Sequence, residues 1–150
     1  MPFHFALQPV LRLRAIHERI ERLRLLELAA TVARVREEIS ALETESSNAR
    51  QRMREALSLG VTGIEMHLES VSETNRSERK RALKARLAGL ERKQEKQRRT
   101  YLETRRKREI LENLRERQLE QYRREQGRRD QQAADELYLL RRGANPSESE

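Results

Sequence analysis

Prolines stand at positions 2, 9 and 146, so the chain runs from Val10 to Asn145 without one. A proline-free stretch of that length, poor in glycine as well, cannot supply the turns of a sandwich, a barrel or repeated βαβ units. What remains is long helix or disorder, and periodicity decides between them. From Leu25 the apolar or small positions step by three and four, through Leu28, Val32, Val35, Ile39, Leu42, Ser46, Ala49, Met53 and Ala56. Alternating +3 and +4 spacing marks a narrow coiled-coil seam, not the broad stripe of a globular helix. An earlier line, Leu13, Ile16, Ile20 and Leu23, has the same spacing in a different phase. The pattern therefore predicts a register slip within Leu23 to Leu28.

Composition agrees with an extended helical chain. Of 150 residues, 39% are charged, 35% hydrophobic and only 3% aromatic, with a net charge of +8. A globular interior draws on about 45–50% apolar residues, glycine included, and on aromatic rings to fill it. With no cysteine, a disulfide framework, thiolate catalysis and thiolate zinc sites are excluded, which fits a reducing compartment. The opening residues lack the basic and apolar regions of a secretory signal. The most apolar stretch, Leu23 to Val35, is broken by Arg24, Glu27, Thr31 and Arg34, well short of the roughly 20 apolar residues that span a bilayer. A soluble or peripheral protein is expected.

The clearest punctuation is Ser58-Leu59-Gly60-Val61-Thr62-Gly63-Ile64-Glu65-Met66. Gly60 suits the left-handed position that closes a helix. Thr62 with Glu65 forms a capping box, and Val61 and Met66 stand at the positions of a hydrophobic staple. Together they predict an antiparallel two-helix coiled-coil hairpin of class all-α, with the second helix longer than the first. Helix 1 is expected at about 9–57, the turn at about 58–62 and helix 2 at about 63–142, one hairpin over 1–142, followed by a polar, disordered tail at 143–150. Pro9 fits the first helical turn. Before it, Phe3, Phe5 and Leu7 form either a short extended arm or a frayed helical turn.

Helix 2 is more polar. Ile64, Leu68 and Val71 open a seam, Ser72 to Arg81 has no large apolar residue, and the seam resumes at Leu83, Leu87 and Leu90. It then passes Gln94 and Gln97 to Tyr101 and continues with Ile110, Leu111, Leu114, Leu119 and Tyr122. The polar stretch leaves a turn at 72–77 as the alternative to the Gly60 turn. With the Gly60 turn, helix 2 beyond about residue 115 has no partner within the chain. Gln94 and Gln97 weaken the seam and favour bending.

Catalytic chemistry finds little here. His4, His17 and His67 lack metal-ligand spacing, the carboxylates sit among arginines on solvated faces, and Gly60 and Gly63 lack the lysine and upstream strand of a phosphate loop. A thin hairpin also offers no water-excluded pocket. The expectation is no enzyme activity, no metal and no cofactor. Residues 76–108 hold fifteen Lys and Arg against four Glu, which fits a solvated helix face or an acidic protein partner. Base stacking needs aromatics, and Tyr101 alone falls in this stretch, so nucleic acid is not the expected partner.

Two segments resemble the flagellar export protein FliJ family. Phe3-His4-Phe5-Ala6-Leu7-Gln8-Pro9-Val10-Leu11-Arg12-Leu13-Arg14, with Glu18 following, is similar to that family's F-x-F-x-L-x-x-V-L-x-L-R…E opening. Glu109-Ile110-Leu111-Glu112-Asn113-Leu114-Arg115-Glu116-Arg117-Gln118, within the charged run that ends at Tyr122, is similar to its E-x-L-x-x-L-+-x-+-Q segment, and Asp135-Glu136-Leu137 to its close. The resemblance implies an antiparallel coiled-coil stalk in the pore of the hexameric flagellar export ATPase. Such a stalk promotes assembly and activity of the ring, contacts the membrane export gate protein and, in some members, handles export chaperones. It also implies a cytoplasmic protein, peripheral on the cytoplasmic side of the cell membrane and not inserted in it.

Contact residues are expected at Phe3, Phe5, Leu7, Val10 and Leu11 on one end of helix 1. On helix 2 the candidates are Arg115, Gln118, Tyr122, Leu137, Tyr138 and Leu140. The family's gate contacts include tyrosines earlier in the chain, whereas the first tyrosine here is Tyr101, so no gate-contact residue is assigned. From other classes, the residues also suit a generic coiled-coil scaffold or dimeric adaptor, and less well a nucleic-acid-binding helix pair.

Overall fold

The computed structural model describes residues 2–144. It contains two α-helices, α1 at Gln8–Leu59 and α2 at Gly63–Ala144, and no strand among the described residues. The fold is an all-α hairpin, and α2, with 82 residues, outruns α1, with 52. Ser72 to Arg81 is helical, which leaves no turn at 72–77. Gly143 and Ala144 continue α2; the rest of the expected tail, 145–150, lies outside the described residues.

The turn follows from its residues. Gly60 takes a φ of 94°, a left-handed conformation that is strained for a residue with a Cβ. The backbone N–H of Thr62 donates to Glu65 Oε2 at 2.9 Å and that of Glu65 to Thr62 Oγ1 at 3.3 Å. This reciprocal cap satisfies two donors that the start of α2 would otherwise leave open. The bond from the Thr62 backbone, and then that with its side chain, hold the Glu65 carboxyl below the usual carboxylate range. Val61 is half-buried while Met66 stays exposed.

The chain divides into two compact units, Glu18–Glu103 and Met1–His17 with Thr104–Glu150. In the first, cross-helix contacts descend α1 as they climb α2. Arg50 meets Glu73, Glu43 meets Lys80 and Lys84, Arg36 meets Glu91, and Gln97 bonds Glu21. The helices are therefore antiparallel. The buried residues are Val32, Val35, Ile39 and Ala49, all on α1, with Leu25, Leu28, Leu42, Met53 and Ala56 half-buried on the same line. From α2 the line is met by half-buried Leu83, Leu87, Leu90, Gln94, Gln97 and Tyr101.

Two expectations about this seam are corrected. No register slip occurs at Leu23 to Leu28. The half-buried positions upstream of Leu25 are Glu21 and Glu18, in the same +3/+4 phase, while Ile20 and Leu23 are exposed. Likewise Ile64 (74% exposed), Leu68 and Val71 do not open the α2 seam. It passes instead through half-buried Glu69, Glu73, Arg76 and Lys80, in phase with Leu83 and Leu87. The cause is the same in both places. A regular helix carries its heptad phase rigidly, so the long apolar run that packs best dictates which residues face the partner several turns away. Polar residues forced inward find partners: the Gln97 side chain donates to the Glu21 carbonyl oxygen at 3.1 Å and to the Glu21 carboxylate.

In the second unit the segment before α1 is an arm, not a helical turn. Pro2 to Phe5 is irregular, and a turn at 6–7 leads into α1. The Gln8 N–H donates to the Phe5 carbonyl at 3.0 Å. Pro9 then lies in the first turn of α1, where its missing N–H costs nothing. Phe5 is 4% exposed, and Phe3 packs on Tyr122 with ring centroids 5.7 Å apart and planes at 50°. On α1 of this unit Leu11 and Arg14 are half-buried, whereas Leu13 and Ile16 are exposed, which again corrects the earlier phase. Tyr122 therefore has a partner within the chain. The bare part of α2 begins later than residue 115: positions 127–144 are all exposed.

The Glu21–Gln97 pair fixes register at some expense of seam stability, as polar residues in coiled-coil seams do. Gln97→Leu alone leaves the Glu21 carboxylate, whose side chain is only 16% exposed, with Arg24 as its remaining ion-pair partner and is expected to lower stability by about 1 kcal/mol. Glu21→Leu/Gln97→Leu should restore or raise it. Thermal melts followed by circular dichroism check both.

Candidate interaction surfaces

A two-helix unit has only one buried line, and everything else is surface. Among the described residues no cluster of His, Asp and Glu has metal-binding geometry, and no helix is long and apolar enough to cross a membrane. The shifted ionisable groups are accounted for by ion pairs and the cap. Hydrogen bonds from Arg98, and then its charge, lower Glu95, and Arg98 is raised in return. Arg76 lowers Glu73 in the same way. None of these groups faces an enclosed cavity where proton transfer to a substrate could be directed. The hollows are open grooves, such as the one of about 350 Å³ bordered by Phe3, His4, Phe5, Gln8, Pro9, Arg12 and Arg115.

The expected contact residues all fall in the unit of 1–17 and 104–150, and they separate by burial. Phe5 is buried, and Phe3, Leu11 and Tyr122 are half-buried. Phe3 holds the arm against Tyr122 of α2, and the first role of these covered side chains is intramolecular packing. Leu7 and Val10 are exposed at the start of α1, and Arg115 and Gln118 on α2 are exposed as well. Leu137, Tyr138 and Leu140 are open, the last at 69%, and Leu139 beside them is equally bare. Consecutive residues on a helix point in different directions, so this segment is apolar nearly all round. Arg141 and Arg142 follow in the last turn, where cations complement the helix dipole.

Further apolar surface is open, part of it at positions expected in the seam. In the unit of 1–17 and 104–150 it comprises Leu13 and Ile16 of α1. In the Glu18–Glu103 unit it comprises Ile20, Leu23 and Leu26 of α1, and, around the turn, Leu57, Leu59, Ile64, Met66, Leu68 and Val71. Counting heptads backward from Leu25 and from Leu83 would have found both sets. Contiguous exposed apolar surface of this kind marks places where proteins meet.

The basic stretch is partly neutralised. Glu91 takes Arg36 at 2.8 Å, Glu43 takes Lys80 and Lys84, and Glu95 takes Arg98 and Arg99. Arg79, Arg81, Arg86, Arg92, Lys93 and Lys96 are exposed and have no ion-pair partner among the described residues. An acidic surface would meet these cations, and salt would weaken that encounter.

The arm supplies the most direct test of the packing. Phe5→Ala removes the one buried side chain outside the seam among the described residues and should cost about 3 kcal/mol locally, whereas Phe3→Ala costs less. Limited proteolysis should then cut the Phe5→Ala chain first at residues 2–8, with α2 before 127 remaining intact longer.

A family model for the flagellar FliJ protein matches residues 3–146. Neither a curated protein nor a solved structure matches the chain. The match begins in the arm, crosses the capped turn and takes in both segments whose residues resemble that family. The chain belongs to the flagellar FliJ protein family and is a component of the flagellar export apparatus.

Proposed function

We propose that the chain is a non-catalytic central stalk and adaptor of flagellar protein export. In this reading it promotes assembly and activity of the export ATPase hexamer and links that ring to the export gate membrane protein and to export chaperones. It works in the cytoplasm, at the cytoplasmic face of the cell membrane, without inserting. The observation that carries the proposal is the family match over residues 3–146 on a helical hairpin.

Physical features support it. Two packed helices, each about 10–12 Å across, give the Glu18–Glu103 unit a cross-section of roughly 20 Å, narrow enough for the axis of a ring. The bare apolar end of α2, Leu137 to Leu140, suits burial in a collar of subunits. The free cations of the 79–96 stretch suit acidic walls and speed encounter by electrostatic steering. A stalk acts by the shape and surface it presents, which agrees with open grooves in place of a pocket.

The test is the ATP hydrolysis rate of the cognate export ATPase with and without the chain. Stimulation is expected, with more hexamer by sedimentation. Leu137→Ala/Tyr138→Ala/Leu140→Ala should reduce the stimulation at least about tenfold, because each truncated anchor of an interface is worth about 1–2 kcal/mol or more, while the helical content of the free chain stays unchanged. An unaltered hydrolysis rate, together with a concentration-dependent dimer of the chain alone, would favour a generic coiled-coil scaffold instead.

A further inference from the structure

Within the Glu18–Glu103 unit the nature of the seam changes along its length. Around Val32, Val35 and Ile39 of α1, facing Leu83, Leu87 and Leu90 of α2, the seam is apolar. Nearer the turn, α1 contributes small residues, Ser46, Ala49 and Ala56, with Met53 as the one large side chain. From α2 the seam positions there are Glu69, Glu73, Arg76 and Lys80. The Arg76 side chain is only 13% exposed and donates to Glu69 Oε1 at 2.6 Å and to Glu73 Oε2 at 2.8 Å. Arg50 crosses from α1 to Glu73 Oε1 at 3.4 Å. Glu43 of α1 receives Lys80 at 3.7 Å and Lys84 at 3.8 Å.

We infer that this charged end of the seam is an electrostatic latch, a segment that ionic strength opens while the apolar part of the same unit stays closed. The argument is one of competing forces. Apolar contact is not weakened by simple salt, whereas attraction between part-exposed charges falls with the screening length, about 10 Å at 0.1 M and about 3 Å at 1 M. Part-exposed ion pairs contribute little each, and few methyl groups lie behind them here to hold the helices once they weaken. Opening widens the groove of about 600 Å³ that Met53 and Met66 line together with Arg50, Arg54, Glu69 and Glu73.

Acid acts on the same cluster with a defined sign. The charged groups around Glu73 are Arg50 and Arg54 from α1 and Glu69 and Arg76 from α2. Hydrogen bonding from Arg76 holds the Glu73 carboxyl below its ordinary value of 4.5, with smaller help from Ser46 and Arg50. Glu69 and then Glu73 raise Arg76 in turn. A carboxylate depressed in the folded state contributes stability that is complete above its unfolded value and lost as pH falls through the folded one. The latch is therefore fastened at neutral pH and released by acid only below that range.

Hydrogen exchange of the full chain, read by mass spectrometry at about 0.1 M and about 1 M sodium chloride, tests this. Amides in 46–54 and 69–80 are expected to exchange about threefold faster or more at the higher salt, with 28–42 and 83–94 nearly unchanged. Glu43→Gln/Glu73→Gln, which removes the carboxylates of the three cross-helix pairs, should bring the low-salt exchange of the segment to its high-salt level. Glu43→Leu/Glu73→Leu/Arg76→Leu, which removes those carboxylates and puts apolar side chains in their place, should abolish the salt dependence and keep exchange slow. Equal acceleration in both parts of the seam, no acceleration in either, or a salt dependence that survives in the triple variant would overturn the inference.

Discussion

Everything in this structure depends on there being one seam. Two helices side by side can bury only the residues on a single pair of facing lines, and a helix cannot turn its phase locally without breaking hydrogen bonds. The run from Leu25 to Ala56 on α1 and the trio Leu83, Leu87 and Leu90 on α2 win that competition because they place the most apolar area in contact. Every other residue is then assigned by arithmetic. Glu18, Glu21, Glu69, Glu73 and Arg76 lie on the seam lines, and Ile20, Leu23, Ile64 and Leu68 face outward.

This constraint explains why the sequence was legible in some places and misleading in others. The proline-free interior, the Gly60 stop and the Thr62–Glu65 cap each report a local conformation, and local rules sufficed for them. The phase near Leu13 to Leu23 and near Ile64 to Val71 was misjudged because hydrophobicity was weighed residue by residue. Leucines are expected inside, but burial is a one-way tendency: much of any folded surface is apolar. In a hairpin the tendency is weaker still, since the interior is only a line wide. The arm shows the opposite case. Nothing in the spacing of Phe3 and Phe5 reveals which residue they will meet, because contact with Tyr122 is set by the length of the chain between them.

The polar seam residues have a positive side. A leucine-only seam tolerates slippage by a heptad at small cost, whereas a buried amide and carboxylate must find each other. Gln97 of α2 bonded to Glu21 of α1, and Arg50 of α1 paired with Glu73 of α2, mark two points at which the alignment of the helices satisfies polar groups on both. Such groups lower the stability of the pair relative to apolar residues while narrowing the set of alternatives.

The candidate contact residues were legible as chemistry and not as position. Tyrosine is what interfaces favour, which points to Tyr122 and Tyr138, and position near the chain ends points to the other candidates. In the structure Phe3 and Tyr122 are occupied with each other and Phe5 is buried, while the side chains left open are Leu7, Val10 and the 137–140 segment, joined by the outward leucines and isoleucines. A chain that places several of its largest apolar residues outside, while filling part of its only seam with charges, has an incomplete hydrophobic arrangement on its own. For a component of an export apparatus this is coherent. The apolar area absent from the interior is available to the surfaces of partners, since a two-helix hairpin cannot bury it alone.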